Sequence, residues 1–265
     1  MLSAPFPRIA IVGVGLLGGS IAKAALRQWP AIEIIPIEAN ESVAQAARAD
    51  LVVLAAPILA NIARLSELSQ HVGRDAVITD VSSTKRRIVS AANAIPALNF
   101  IGGHPMAGNA RGGAANARAD LFDGHPWILT PAAGQTAALQ RLEEFVSGLR
   151  GVPHIMTPEL HDRFVGAVSH LPQLSASALM HVVGELAGDA GLELAGRGLH
   201  DSTRLAASPP DIWKDVAATN DDVLRDALDV LIATLIEMRD SLETGDAIET
   251  VFTSARRWRD ALDRH

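Results

Sequence analysis

The chain has 265 residues, is 48% hydrophobic and 20% charged, carries a formal net charge of −7, and contains no cysteine and no tyrosine. That length suits one large or two modest domains with a real core, and the acidic balance argues against nucleic acid or a basic membrane surface as partner. Without cysteine there are no disulfides, thiolate metal sites or cysteine nucleophiles; no apolar run reaches the roughly 18 residues that span a bilayer, so a soluble cytoplasmic protein is expected.

The first element is "IAIVGVGLLGG". Ile9–Val12 predicts a buried strand, and Gly13-x-Gly15-x-x-Gly18 predicts the turn that receives a dinucleotide pyrophosphate. In that motif the first glycine makes the turn, the second admits the phosphates, and the third lets the next helix pack on its strand. The amides of that helix N-terminus suit an anion. "GSIAKAALRQ" predicts the helix, and "IEIIPIE" a second strand ending at Glu38. A short helix, "SVAQAARAD", leads into the apolar strand Leu51–Pro57, and a helix follows over Leu59–Val72. Ala76–Ser83, Phe100–Gly108 and Pro126–Pro131 read as further strands. Alternating strands and helices predict a parallel, doubly wound α/β sheet of the Rossmann type.

The segment between Glu38 and Leu51 is too short for a helix, a strand and a second helix, so one edge strand is expected to be missing. Pro36 agrees, because proline has no N–H for a central ladder and is confined to sheet edges. After about Gly151 the pattern turns helical. A long helix or helix pair with Pro172 near its middle leads to a segment with apolar residues at Val223, Leu224, Leu228, Leu231, Ile232, Leu235 and Ile236. That is the stripe of an amphipathic helix. The expected division is a dinucleotide-binding domain over 1–150 and a helical substrate and dimerisation domain over 151–265.

Ligands of open α/β sheets bind beyond the carboxyl ends of the strands. Glu38 sits at such an end, where it can accept both ribose hydroxyls and repel a 2′-phosphate, which favours NAD over NADP. Leu17 in the glycine turn and Pro57 at the end of the third strand join the candidate cofactor contacts. His104, in "GGHPMAG", can take a proton near neutral pH. Asn109 belongs to the same polar cluster and is a candidate substrate contact. Ser83 either orients a hydroxyl or the nicotinamide amide, or caps the helix that begins near Lys85. In the helical half, "SHLPQ" offers His170 and Gln173, and Arg204 offers a bidentate fork for a carboxylate. Nine histidines are present, but none has a metal-ligand spacing, so no metal is expected.

In combination these segments resemble the prephenate/arogenate dehydrogenases of tyrosine biosynthesis over nearly the whole chain. The marks are "VGVGLLGGS", "DLVVLAAP", "TDVSSTK", "GGHPMAGNARGG", "LFDGHPWILTP", "HDRFVGAVSHLPQ" and "STRLAASPPDIWKDV". The resemblance implies a Rossmann domain followed by a helical dimerisation domain, hence a homodimer. It also implies NAD-dependent oxidative decarboxylation of prephenate or arogenate to 4-hydroxyphenylpyruvate or tyrosine. It places the catalytic histidine of the 4-hydroxyl on His104, a serine near nicotinamide and hydroxyl on Ser83, and the carboxylate-binding arginine on Arg204. His161 and His170 match further pocket histidines of the family. Gln173 stands where the family usually has the second histidine of "SHLPH", a residue that contacts the substrate side chain, so the choice between keto acid and amino acid stays open. Ala110 stands where relatives often carry an acid, and the missing strand trims the adenine side of the cofactor site.

Two other readings stay open at this level. A β-hydroxyacid dehydrogenase shares the plan but relies on a lysine in its helical half, where this chain has only Lys214. A non-catalytic relative would bind ligand without turnover.

Overall fold

The computed structural model of the protein describes residues 3–38, 40–108 and 112–264. A parallel strand covered on both faces appears in sequence as an unbroken apolar run, and the runs at β1 (Arg8–Val12), β3 (Leu51–Leu54) and β4 (Val77–Asp80) form the middle of a seven-stranded sheet. The remaining strands are β2 (Glu33–Ile37), β5 (Asn99–Pro105), β6 (Pro126–Thr130) and β7 (Val152–Ile155), and the spatial order is β2-β1-β3-β4-β5-β6-β7. Side chains alternate between two apolar layers. Ile9, Ile11, Leu51 and Val53 face one, with helices α1 (Leu16–Gln28) and α4 (Thr136–Gly148). Ala10, Val12, Val52 and Leu54 face the other, with α2 (Ile58–His71), α3 (Arg86–Asn93) and a 3-10 turn at Val43–Arg48.

The expected loss of an edge strand is visible in the order. β2 pairs only with β1, and the 3-10 turn crosses directly to β3 on the other side of β1. Pro36 lies opposite Ile11 on this edge strand, where its missing N–H breaks no second ladder. Two features differ from the sequence expectation. The sheet is not wholly parallel: β6 runs antiparallel to β5, and among the described residues between them the one helical element is a 3-10 turn at Ala114–Asn116, not the crossover helix that a parallel pair needs. The sheet also has a further strand, β7, parallel to β6, so residues 152–155 belong to it and not to the helical region.

Beyond the sheet, α5 (Pro158–Val165) runs through a π-helical turn at Gly166–His170 into α6 (Leu171–Leu192). Proline in a continuing helix removes one donor and crowds the carbonyl four residues earlier. The wide turn just before Pro172 relieves that conflict without ending the helix, and it carries His170. α6 is broken at Gly188, where φ is 59° and ψ −175°. α7 (Arg197–Thr203), a 3-10 turn at Arg204–Ala207 and α8 (Pro210–Thr219) complete a compact unit that ends at Asp221. Residues 222–265 form a second unit, whose described part holds most of α9 (Asp221–Asp240) and α10 (Asp246–Leu262). In that unit Ile232, Leu235, Ile236, Phe252 and Trp258 are exposed in the single protomer.

The glycine turn is built by close approach. Gly13 has φ +97°, and a Cβ there would lie 2.8 Å from the Ala56 nitrogen. A Cβ on Gly18 would lie 2.1 Å from the Gly13 carbonyl oxygen and 3.0 Å from Ile11, so α1 meets β1 only through glycine. Gly18→Ala is expected to destabilise the fold by about 1–3 kcal/mol or more, the scale of overpacking against backbone. At about 2–4 °C per kcal/mol for a domain of this size, thermal melts would show a clear fall in Tm; an unchanged Tm would refute the close packing.

Candidate active site

The cleft of interest, about 380 Å³ in volume, opens at the glycine turn. Leu16 and Leu17 line it from α1, Ala55 to Ile58 from the end of β3, Ser82 and Ser83 from the end of β4, and Ala107 and Gly108 from the loop after β5. Ser208, Trp213 and Val216 close it from the segment around α8. This is the carboxyl edge of the parallel strands, where a crevice forms between loops. Of the expected cofactor contacts, Leu17, Pro57 and Ser83 line this cleft.

The turn fits a dinucleotide by two observations. A Cβ on Gly15 would meet nothing within 4 Å, so the space beside that backbone is open toward a ligand. The N-terminus of α1 has no side-chain cap and no acid in its first turn, so its free amides are available to an anion. Glu38 is exposed immediately after β2, and its carboxylate pairs with no described residue. Those groups match a pyrophosphate and a ribose.

His104 sits in β5 opposite Ile128 of β6 and is 8% exposed. Its Nδ1 lies 2.8 Å from Nε2 of His161, and Nδ1 of His161 lies 2.8 Å from Oδ1 of Asp162. The same carboxylate accepts the backbone N–H of Lys85 (2.7 Å) and of Arg86 (2.9 Å), with the Arg86 Nε at 3.2 Å. Asp162 therefore caps the N-terminus of α3 from another helix, which removes the capping role that Ser83 could have had. Nε2 of His104 makes no hydrogen bond with a described residue.

A second buried carboxylate, Asp80 at the end of β4, is paired with the ammonium of Lys85. Asp80 also accepts the N–H of Gly103 and of Ser82, each at 3.0 Å. The Gly102–Gly103 pair before His104 leaves room for this cluster: a Cβ on Gly103 would lie 2.5 Å from the Asp80 carbonyl, and one on Gly102 3.1 Å from Cδ of Lys85. Burial pushes the Lys85 ammonium below its usual range, and Asp80 opposes that.

Burial also holds His104 well below the ordinary histidine value, with His161, Lys85 and His170 adding to the effect. His161 is lowered by burial against the opposing hydrogen bond to Asp162. Burial would raise Asp162, but its bonds from His161, Arg86 and Lys85 prevail and hold it low. His104 is thus a neutral imidazole at neutral pH, able to accept a proton.

His170 is pushed down to about 4, chiefly by burial. Its Nδ1 lies 3.4 Å from the amide nitrogen of Asn220, its ring meets Trp213 edge-on at 6.0 Å, and its buried Nε2 has no partner among the described residues. An orphaned buried polar group costs about 1–3 kcal/mol, and a bound acceptor would satisfy it. Arg204 is exposed and forms no ion pair with a described residue. Gln173 is buried, and its amide donates to the Leu205 carbonyl (2.8 Å) and Ser177, while Ser208 donates to its oxygen at 3.2 Å.

Two expected substrate contacts have their hydrogen-bonding groups engaged within the protein. His161 is fully buried, backs His104 and has both ring nitrogens engaged. Gln173 braces the segment that carries Arg204 and has no described free donor pointing elsewhere. Asn109 and Ala110 lie outside the described residues. Lys214, the lysine a β-hydroxyacid dehydrogenase would need, is a surface residue paired with Asp211. The sequence marks Asp80 to Lys85 as a polar cluster at a strand end without giving it a role, and it does not single out Asp162, Asn220 or Trp213. The adjacent His161 and Asp162 and the "GG" before His104 were the available signals, and neither reveals its partner.

Residues 16–154 match the prephenate dehydrogenase nucleotide-binding domain, and residues 157–253 match the prephenate dehydrogenase dimerization domain. The chain is 34% identical to the prephenate dehydrogenase of Bacillus subtilis over 96% of its own length and 76% of the relative's. It is 29% identical to the cyclohexadienyl dehydrogenase of Zymomonas mobilis over 97% of its own length and 96% of the relative's. The crystal structure of A. aeolicus prephenate dehydrogenase in complex with hydroxyphenyl propionate and NAD+ superposes with a TM-score of 0.87 at 27% identity, covering 100% of this chain and 99% of that one.

The histidine cluster sets a pH dependence of stability. Each folded-state value lies below that of the unfolded chain, so as pH falls the unfolded chain binds protons first. Stability is full above about pH 6.5 and declines below it, down to about 4 for His170. The His170 shift alone corresponds to about 3 kcal/mol. Tm should fall steeply on acidification through this window, and His170→Asn should flatten the slope. Melts of equal slope for the two proteins would contradict the assignment.

Proposed function

Because the chain belongs to the prephenate dehydrogenase family, we propose that it catalyses the NAD-dependent oxidative decarboxylation of prephenate, arogenate or both. The observation that carries this reading is a neutral, hydrogen-bonded imidazole, His104, three residues before Ala107 in the wall of a cleft that also holds Leu16 and Leu17 of the glycine turn. Residues 1–155, which end with β7, are assigned to dinucleotide binding, with Gly13, Gly15, Leu17, Gly18, Glu38, Pro57 and Ser83 as its contacts. Residues 156–265, expected from the sequence to begin at 151, are assigned to substrate binding and dimerisation.

The residues divide the work as follows. His104 accepts the proton of the substrate 4-hydroxyl at Nε2 as the carbon–hydrogen bond is broken. Ser83, in the cleft wall, orients that hydroxyl and the nicotinamide end of the cofactor. Arg204 meets a substrate carboxylate, and its position is held by Gln173 through Leu205 and Ser208. Nε2 of His170 donates to a second acceptor on the substrate, which relieves its lack of a partner. Bound NAD supplies the hydride acceptor. Loss of the ring carboxylate as CO2 leaves an aromatic ring, so the protein has only to orient and polarise. The exposed apolar residues of α9 and α10 favour a homodimer of the obligate class, burying more than about 2,000 Å² in total. The reading places the enzyme in the cytoplasm, with a soluble NAD pool.

Purified protein should form NADH from NAD with prephenate or arogenate, and the ratio of the two rates will show which side chain the site prefers. His104→Asn should lose about 10²-fold or more of kcat with little change in substrate KM, whereas Arg204→Ala should raise KM strongly. Near wild-type kcat in His104→Asn would remove the base from the reading.

Gly15→Ala should keep the wild-type Tm, since nothing of the protein lies within 4 Å, yet weaken NAD binding in calorimetry. Glu38→Ala should narrow the preference for NAD over NADP. If millimolar NAD gives wild-type protein neither heat nor thermal stabilisation, the turn serves packing alone and the enzyme reading falls with it. A monomer by light scattering at micromolar concentration would rule out the obligate dimer.

A further inference from the structure

We infer that Asp162 and His161 are positioning residues that fix the tautomer of His104, presenting its Nε2 lone pair rather than an N–H to the reacting hydroxyl. The inference rests on the reading of His104 as the base. It follows from the direction in which each hydrogen bond can run. A carboxylate only accepts, so His161 must donate its Nδ1–H to Asp162 across 2.8 Å. A neutral imidazole has one donor and one acceptor nitrogen, so Nε2 of His161 accepts. His104 must then donate its Nδ1–H across the next 2.8 Å, and the lone pair is left on its Nε2. The order of three residues thus decides which atom of His104 can act as a base.

Three features make the arrangement firm. Asp162 is locked by the two backbone N–H groups that open α3 and by the Arg86 side chain, so it cannot turn away from His161. The Asn220 amide donates to the Asp162 carbonyl at 2.9 Å and ties the start of the chain of contacts to the end of α8. The two histidine rings meet at 67° with centroids 5.0 Å apart, an edge contact that holds the Nδ1–Nε2 line and admits no ring flip without breaking both bonds.

When the hydroxyl proton arrives at Nε2, His104 carries a positive charge. That charge is stabilised through His161 by the Asp162 carboxylate, which itself stays unprotonated. The charged and titratable groups around His104 are His161 and Asp162 from α5, His170 from the π-helical turn, and Lys85 with Asp80 before α3. Lys85 and the other histidines oppose the charge, and Asp162 is the carboxylate that the hydrogen-bond chain connects to it through His161.

The test reads the tautomer directly. With ring-nitrogen-labelled histidine, NMR of the intact protein should show His104 and His161 both as Nδ1–H tautomers, each assigned by its loss in a single-site variant. In Asp162→Asn, or in His161→Leu, which leaves the cap of α3 in place, His104 should lose that fixed state. Both variants should lose about 10²–10⁴-fold in kcat, since the equivalent exchange in a Ser–His–Asp triad costs about 10⁴-fold by stranding the wrong tautomer. Substrate KM and NAD affinity should change only a few-fold, and the acid limb of the kcat profile should move to lower pH. An Nε2–H tautomer for His104 in wild-type protein, or retained kcat in His161→Leu, overturns the inference. Wild-type protein that shows the Nδ1–H tautomers yet turns over neither substrate overturns the proposed activity and leaves the tautomer device standing.

Discussion

Asp162 accepts hydrogen bonds from two backbone amides, one guanidinium and one imidazole, and these contacts join helix α5 to the loop that follows β4. Removing a carboxylate from water costs several kcal/mol, and only a full set of donors offsets that. Here the donors are groups that need an acceptor themselves, namely the opening amides of α3. One side chain therefore solves a helix terminus, a buried charge and the orientation of a histidine together. The packing of α5 against α3 would otherwise leave those amides without partners.

The second buried charge obeys the same constraint on a smaller scale. Lys85 is fully buried, and its ammonium is tolerable only beside Asp80, whose other lone pairs hold Ser82 and Gly103. A Cβ on Gly103 would meet the Asp80 backbone carbonyl and Thr79, and one on Gly102 would meet Thr130 Oγ1, then Val89 and the Lys85 stem, so neither position has room for a side chain. The ends of β4 and β5 thus hold a buried, hydrogen-bonded polar cluster, next in the chain to the catalytic candidate His104.

The extent to which this was legible in the sequence follows from the range of each interaction. β1, β3 and β4 show as apolar runs because both faces of each are covered, and the turn at Gly13 shows because its cause is local. The bare edge at β2 was legible from chain length and Pro36. β7 was not, because "VPHI" is short, partly exposed and interrupted by proline. The direction of β6 was not either, since periodicity carries no direction. Within the site, His104, Ser83 and Arg204 were singled out by their surroundings in the chain. The pairing of His104 with His161 spans 57 residues, and that of Lys85 with Asp162 spans 77, so no spacing rule reaches them. Gln173 and His161 were read as ligand contacts from the family resemblance, which does not say which of a side chain's bonds are already made inside this protein.

The edge contact between Trp213 and His170 gives the protein an optical handle on its own cleft. With no tyrosine, ultraviolet emission comes from four tryptophans alone, and Trp29 and Trp127 lie in the core away from solvent. Trp213 lines the cleft, beside an imidazole that quenches indole fluorescence once it is protonated. A reduced nicotinamide absorbs where indole emits. Occupancy of the cleft and protonation of His170 thus both act on the emission of Trp213, one of the four tryptophans, with the exposed Trp258 as a background distant in the chain.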